Sequence, residues 1–253
     1  MSAIRWLSAN ADVDAFPPPH LALDEPNGLL AAGGDLRPER LLSAYRRGIF
    51  PWYERGQPIL WWCPNPRAVL FPSELRVSRS LRRVVRREIF RITADTAFER
   101  VIRACAEPRR YGPGTWLTDE MVTAYCALHE LGWAHSFEAW HEGELAGGLY
   151  GVAIGRVFFG ESMFTRVTDA SKAAFVTAVS YLRARNFELI DCQIASAHLA
   201  SLGAVDVPRT RFLKLLKQLC GESRALGPWM ADFAAWAANE RGAEGTRAAG
   251  PTS

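Results

Sequence analysis

The chain has 253 residues, with 30 Lys+Arg against 27 Asp+Glu for a net charge of +3. Hydrophobic residues make up 49% and charged residues 23%, a balance that supports a folded core and excludes a wholly disordered chain. No run reaches the roughly 18 apolar residues of a membrane span, and the N-terminus lacks a signal-peptide pattern.

Residues 1–34, with FPPPH, EPNG and AAGGD, read as an irregular lead-in lying on a surface. Asp35 is placed to cap a helix carrying Leu41, Leu42 and Tyr45 on one face, and Gly48 suits its C-terminus. Prolines at 51, 58, 64 and 66 forbid a long helix in the aromatic stretch that follows. A domain boundary is expected near residue 66. Residues 76–87 read RVSRSLRRVVRR, with Ser78 as N-cap. Arg79, Arg82, Arg83, Arg86 and Arg87 then fall on one helical face, and Leu81, Val84 and Val85 on the other.

A second helix is expected over residues 118–131, with Asp119 and Glu120 in its first turn. Residues 134–163 alternate as an antiparallel meander with turns at Glu142-Gly143 and Gly155-Arg156. Thr168 or Asp169 starts a long helix, ASKAAFVTAVSYLRA, ending near Asn186. A buried strand, ELIDCQ, follows, then helices over residues 196–202 and 210–220. The tail, residues 237–253, is small and polar and is expected to fray. The fold class is α+β with a mainly antiparallel sheet. The element order over residues 67–236 resembles the GNAT acyltransferase fold.

Three features point to chemistry. The arginine stripe, Arg76 included, holds six Arg and no acid, so the rest of the chain balances at 24 − 27 = −3. Such self-repulsion is tolerated where a polyanion neutralises it, and the planar guanidinium suits phosphate; a solvated face is the bland alternative. Glu161 sits among Phe158, Phe159, Met163 and Phe164, where a carboxylate is either paired or tuned. On the strand ELIDCQ, Asp191 and Gln193 share a face and Cys192 takes the other. Two polar groups on one face of a buried strand need partners. Cys192 is disfavoured as a nucleophile because no His lies at an activating spacing; His198 is a weak base candidate. The string Arg109-Arg110-Tyr111-Gly112-Pro113-Gly114 matches the R-x-x-G-x-G loop of coenzyme A enzymes, but it precedes the meander and Pro113 lacks a donor. It reads as accidental. The five cysteines include no C-x-x-C pair, so neither a disulfide framework nor a metal site is expected, and a reducing cytoplasm is.

The strings GLLAAGGDL (28–36), SAYRRGIFPWY (43–53), PILWWCPNPRAVL (58–70), GTWLTDEM (114–121), AHSFEAW (134–140), GGLYG (147–151), FFGESMF (158–164), ASK (170–172), LIDCQ (189–193) and SLGA (201–204) resemble the leucyl/phenylalanyl-tRNA–protein transferases. The resemblance implies a small N-terminal α/β domain, residues 1–66, beside a GNAT-like domain, residues 67–236. It implies transfer of Leu or Phe, and less readily Met, from aminoacyl-tRNA to proteins beginning with Arg or Lys, which marks them for N-end rule degradation. By motif, Trp52, Trp116, Tyr125, Leu149, Phe158, Met163, Ala178 and Ile190 would form the pocket for the aminoacyl side chain and 3′ adenosine. Asp191 and Gln193 match the pair assigned to catalysis. Asp191 would hold or deprotonate the incoming amine. Glu161 would anchor the substrate amine or ribose, or the cationic side chain of the acceptor. Arg76, Arg79, Arg82, Arg83, Arg86 and Arg87 would contact tRNA. No cofactor, no metal and no membrane are expected, and a monomer is the expected state. Two rivals remain open: an acetyl-CoA-dependent N-acetyltransferase and a non-catalytic RNA-binding module.

Overall fold

A computed structural model of the chain describes residues 4–107, 117–221, 223 and 225–248. The N-terminal part supplies strands β1 (Arg5–Leu7) and β2 (Leu29–Gly33), helix α1 (Pro38–Arg46), and strands β3 (Phe50–Pro51) and β4 (Leu60–Trp62). These strands form a four-stranded sheet in the order β1-β2-β4-β3, parallel only between β1 and β2. Asp35 does not cap α1. Pro38 takes the first helical position, where its missing N–H costs nothing, and Arg37 becomes the N-cap. Asp35 instead accepts from Arg37 N at 2.9 Å and from Arg40 Nε at 3.1 Å. Gly48 ends the helix at φ +73°, and a Cβ there would lie 2.9 Å from the Phe212 ring.

The rest of the chain runs β5 (Arg67–Leu70), α2 (Arg79–Arg86), β6 (Arg91–Ala94), α3 (Phe98–Ala106) and α4 (Asp119–Glu130). It continues through β7 (Ala134–His141), β8 (Glu144–Ile154), β9 (Val157–Thr165), α5 (Ala170–Ala184) and β10 (Leu189–Gln193). It closes with α6 (Ala197–Ser201), β11 (Val205–Val207), α7 (Arg209–Leu219) and α8 (Met230–Ala248). The seven strands are ordered β11-β5-β10-β9-β8-β7-β6, and only β9 and β10 run parallel. The expected meander is β7–β8–β9, and Ser78 and Thr118 cap α2 and α4 as expected.

Sequence reasoning missed β6 and β11, which are too short for alternation to register, and it missed α3. It also expected the chain beyond Trp236 to fray, whereas α8 continues to Ala248. Ala, Glu and Arg in that stretch favour helix. The helix is seated by Trp229, Phe233 and Trp236, whose rings pack around Tyr181 at centroid distances of 5.6, 5.1 and 5.3 Å.

The sheet has two apolar layers. One lies against α3, α4 and the N-terminal sheet, with Tyr45, Trp61, Ile102, Tyr125, Phe159 and Phe212. The other lies against α2, α5 and α8, with Leu81, Phe137, Phe158, Val179, Ile190 and Trp229. The first layer takes residues from both sides of residue 66, so the two sheets share one core although the chain passes from one to the other there.

Candidate active site

The parallel pairing of β9 with β10 covers only Leu189↔Val157, Ile190↔Phe158 and Asp191↔Phe159. Beyond it β9 stays with β8, while β10 bulges against β5 between Asp191 and Gln193. Gln193 adopts φ +62° there, in the left-handed region. Where main-chain pairing ends, side chains bridge the two strands: Gln193 Nε2 donates to Glu161 Oε1 at 2.8 Å. The other carboxylate oxygen, Oε2, accepts from the Tyr125 hydroxyl at 2.8 Å. Tyr125 has spent its single proton on Glu161, so the 2.5 Å contact with Tyr45 has Tyr45 donating. The result is a chain of donors, Tyr45 to Tyr125 to Glu161, met from the other side by Gln193.

Glu161 is 9% exposed, whereas Tyr45 and Tyr125 are fully enclosed. Burial pushes the Glu161 carboxyl from 4.5 up to about 7, against the pull of the two tyrosine hydroxyls. A carboxyl raised in this way stabilises the fold in full below pH 4.5, and that contribution is gone once the pH has risen through about 7. Wild-type stability should therefore fall by about 2–3 kcal/mol more between pH 5 and 8.5 than that of Glu161→Gln. Urea unfolding at the two pH values measures this, and parallel pH dependence in both proteins would contradict it.

Asp191 is fully buried and pairs with Arg67, also fully buried, through Nε–Oδ1 at 2.8 Å and Nη2–Oδ2 at 2.6 Å. Its Oδ1 also accepts from the backbone N of Gln193 at 2.9 Å. Both oxygens are thus engaged inside the protein, and Asp191 orients Gln193. Sequence reasoning gave Asp191 the task of holding or deprotonating the incoming amine; in the structure its oxygens meet Arg67 and the Gln193 N–H.

The family model described as leucyl/phenylalanyl-tRNA protein transferase matches residues 69–217, and the model of that enzyme's N-terminal domain matches residues 34–65. A leucyl/phenylalanyl-tRNA–protein transferase of Nitrosospira multiformis is 57% identical over 90% of this chain and 97% of its own length. The enzymes so named from Stutzerimonas stutzeri and Methylococcus capsulatus are 60% and 59% identical, over 84% and 85% of this chain and 93% and 92% of theirs. The chain belongs to the leucyl/phenylalanyl-tRNA–protein transferase family. Solved structures are similar at a looser level. L-PGS from Bacillus licheniformis has TM-score 0.37 and 12% identity, over 63% of this chain and 51% of that one. A GCN5-related N-acetyltransferase from Kribbella flavida has TM-score 0.33 and 13% identity, over 65% and 59%.

Within this transferase-family chain, the residues matched by motif divide between the two faces of the sheet. Tyr125, Glu161, Asp191 and Gln193 form one hydrogen-bonded group with Arg67. Leu149, Phe158, Ala178 and Ile190 are buried in the opposite layer, with partly exposed Met163 packed against them. Leu149 lies across from Met163 in the β8–β9 ladder, and Ile190 across from Phe158. Trp52 follows β3 at 40% exposure, tilted against Trp62 at 5.6 Å. Trp116 and the Arg109–Gly114 string lie outside the described residues.

Arg76 and the five arginines of the α2 stripe are all exposed, and none pairs with an acid among the described residues. Arg79, Arg82, Arg83, Arg86 and Arg87 rim a surface depression on α2, which packs on the α5 side of the sheet. Arg76 N donates to Leu202 O at 2.9 Å, at the C-terminal end of α6. Burial pushes the Cys192 thiol well up, which keeps it protonated and agrees with its exclusion as a nucleophile. Burial, and secondarily Lys172, lowers the pKa of His198, which sits apart on α6. No three-ligand His, Cys, Asp or Glu group that could hold a metal occurs among the described residues. No helix among them is long and apolar enough to cross a membrane.

Sequence reasoning missed Arg67 and Tyr45. A signal for Arg67 existed. The runs RAVL and LIDC each place one charge in an apolar strand, the charges are opposite, and buried charges are expected to pair.

Proposed function

We propose that the protein transfers a leucyl or phenylalanyl group from its tRNA ester to the N-terminal α-amine of an acceptor protein by direct aminolysis. The observation that carries this reading is the Gln193–Glu161 bridge at the point where β9 and β10 stop pairing, backed by Tyr125. A ligand entering between the parted strands would reach polar groups on one face of the sheet and apolar ones on the other. The aminoacyl side chain would be received by Met163, Leu149, Phe158, Ile190 and Ala178. A pocket of that kind sorts by apolar size at about 1–3 kcal/mol per methylene, which fits Leu and Phe with Met weaker. Trp52 offers a ring face on which a nucleobase could stack.

In the reaction the acceptor amine attacks the ester carbonyl, the C–N bond forms and the C–O bond to the terminal ribose breaks. One proton leaves the amine and one arrives on the ribose oxygen. The ester is already activated, so the balance needs no ATP. Gln193 positions the reacting groups through its carboxamide. Glu161 as a carboxylate would hold the ammonium of the aminoacyl group. The α2 stripe would bind the tRNA backbone. Acceptors starting with Arg or Lys, a place in N-end rule degradation, a cytoplasmic location and a monomeric state complete the reading.

Transfer of labelled Phe from charged tRNA to otherwise identical proteins starting with Arg, Lys or Ala tests it. Product is expected with Arg and Lys only, with Leu-tRNA as a second donor and Met-tRNA a weaker one. Absence of labelled product with either cationic start would refute the activity. Acetyl transfer from acetyl-CoA would favour the N-acetyltransferase alternative.

A further inference from the structure

We infer that Arg67 is a positioning residue for transfer: it acts through Asp191 to hold the backbone turn that presents the Gln193 carboxamide to Glu161. The inference rests on the reading that Glu161 and Gln193 form the transfer site.

Three observations support it. First, the pair is a forked, two-bond contact between fully buried groups on adjacent strands, β5 and β10. A buried ion pair is a weak device for stability, because both charges lose their hydration. Its geometry is instead highly directional. Second, the guanidinium is clamped between two rings, Phe50 of β3 and Phe212 of α7, each centroid 4.7 Å from Arg67 Cζ. One of its nitrogens, Nη1, has no hydrogen-bond partner. Its place is therefore set by Asp191 and the rings, at the expense of a buried donor. Third, Gln193 is a non-glycine residue at φ +62°, a conformation L-residues avoid. Within this turn Asp191 Oδ1 accepts from Gln193 N. That bond needs the Asp191 carboxylate aimed, and the Arg67 fork aims it.

Steady-state transfer by Arg67→Met, Arg67→Lys, Arg67→Met/Asp191→Asn and Gln193→Ala tests the inference. Arg67→Met leaves the Asp191 carboxylate buried without its forked partner, free to swing away from Gln193 N. We expect kcat at pH 7 to fall about 100-fold, with KM for charged tRNA within about 3-fold of wild type. The double variant removes both charges and keeps an Asn oxygen for Gln193 N, so it should regain at least about a tenth of wild-type kcat. A purely structural role would lower Tm without this split between kcat and KM and without rescue by the second substitution.

Folded Arg67→Met with wild-type kcat, or a folded double variant no better than Arg67→Met, overturns the inference. Should Arg67→Met fail to fold, Arg67→Lys decides: it keeps the charge but lacks the fork, and unchanged kcat there overturns the inference. A several-fold kcat loss at constant KM supports it. Gln193→Ala separates the two claims. If it transfers normally, the site reading itself fails. If it is impaired while the Arg67 variants are not, only the role of Arg67 fails.

Discussion

Gln193→Ala should lower kcat for aminoacyl transfer by about 100-fold or more, with KM for charged tRNA changed by less than about 3-fold. The side chain makes the Gln193–Glu161 bond at 2.8 Å where the strands part, and it does not belong to the arginine surface that would bind tRNA. Its loss should therefore be felt at the reacting atoms and not in tRNA affinity. The fold should tolerate the change, since Gln193 is only partly buried and its backbone N–H to Asp191 does not depend on the side chain. Ala keeps the Cβ that Gln193 already carries in the left-handed turn, and Tm recorded beside kcat checks that the fold is kept. A rise in KM at constant kcat would place Gln193 in substrate binding alone. An unchanged kcat would move the chemistry elsewhere.

Changing Arg82, Arg83, Arg86 and Arg87 together to Ala should weaken charged tRNA by about 100-fold or more at low salt, and should flatten the log–log salt dependence by about 3–4. All four are exposed, lie on the outward side of α2 and have no acid partner among the described residues. Their removal leaves Leu81, the buried residue of that helix, in place, so the protein should remain folded. It would take the net charge from +3 to 3 − 4 = −1. That small change in the total cannot explain a large loss, whereas loss of a concentrated patch can. The effect should appear in KM, with kcat at saturating tRNA near wild type. A salt slope equal to that of the wild type would mean that tRNA docks on another surface.

The two results would differ because the two features are built differently. The stripe is local. Its geometry follows from helical spacing, Ser78 caps the helix by accepting from Leu81 N at 3.2 Å, and its charges face water. Every part of that description is present in twelve consecutive residues. The polar site is non-local. Arg67 and Asp191 lie 124 residues apart in sequence, and Tyr45 and Tyr125 lie 80 apart. Strand alternation placed Asp191 and Cys192 on opposite faces, but Gln193 follows a bulge at φ +62°, so its meeting with Glu161 is set by the turn and not by a period of two. It did not reveal that Asp191 would be used up by Arg67. The same limit applies to the pocket residues. Motif matching grouped Tyr125 with Leu149 and Ile190, yet they occupy opposite faces of the sheet.

Sequence by itself thus determined the α+β class, the meander, the arginine face, the family, and the residue types from which a site could be assembled. These depend on periodicity, capping and ordered motifs, which are written along the chain. Tertiary structure decided which partners each carboxylate meets. Asp191 and Glu161 look alike in sequence, one acid in each apolar strand. In the fold Asp191 is locked against a buried guanidinium with both oxygens occupied, while Glu161 is held by neutral donors and rises to about 7. The physical reason is that burial disfavours a charge, and the hydroxyl and amide donors around Glu161 do not offset that cost in full. Which neighbour each one meets is settled only when distant strands are brought together.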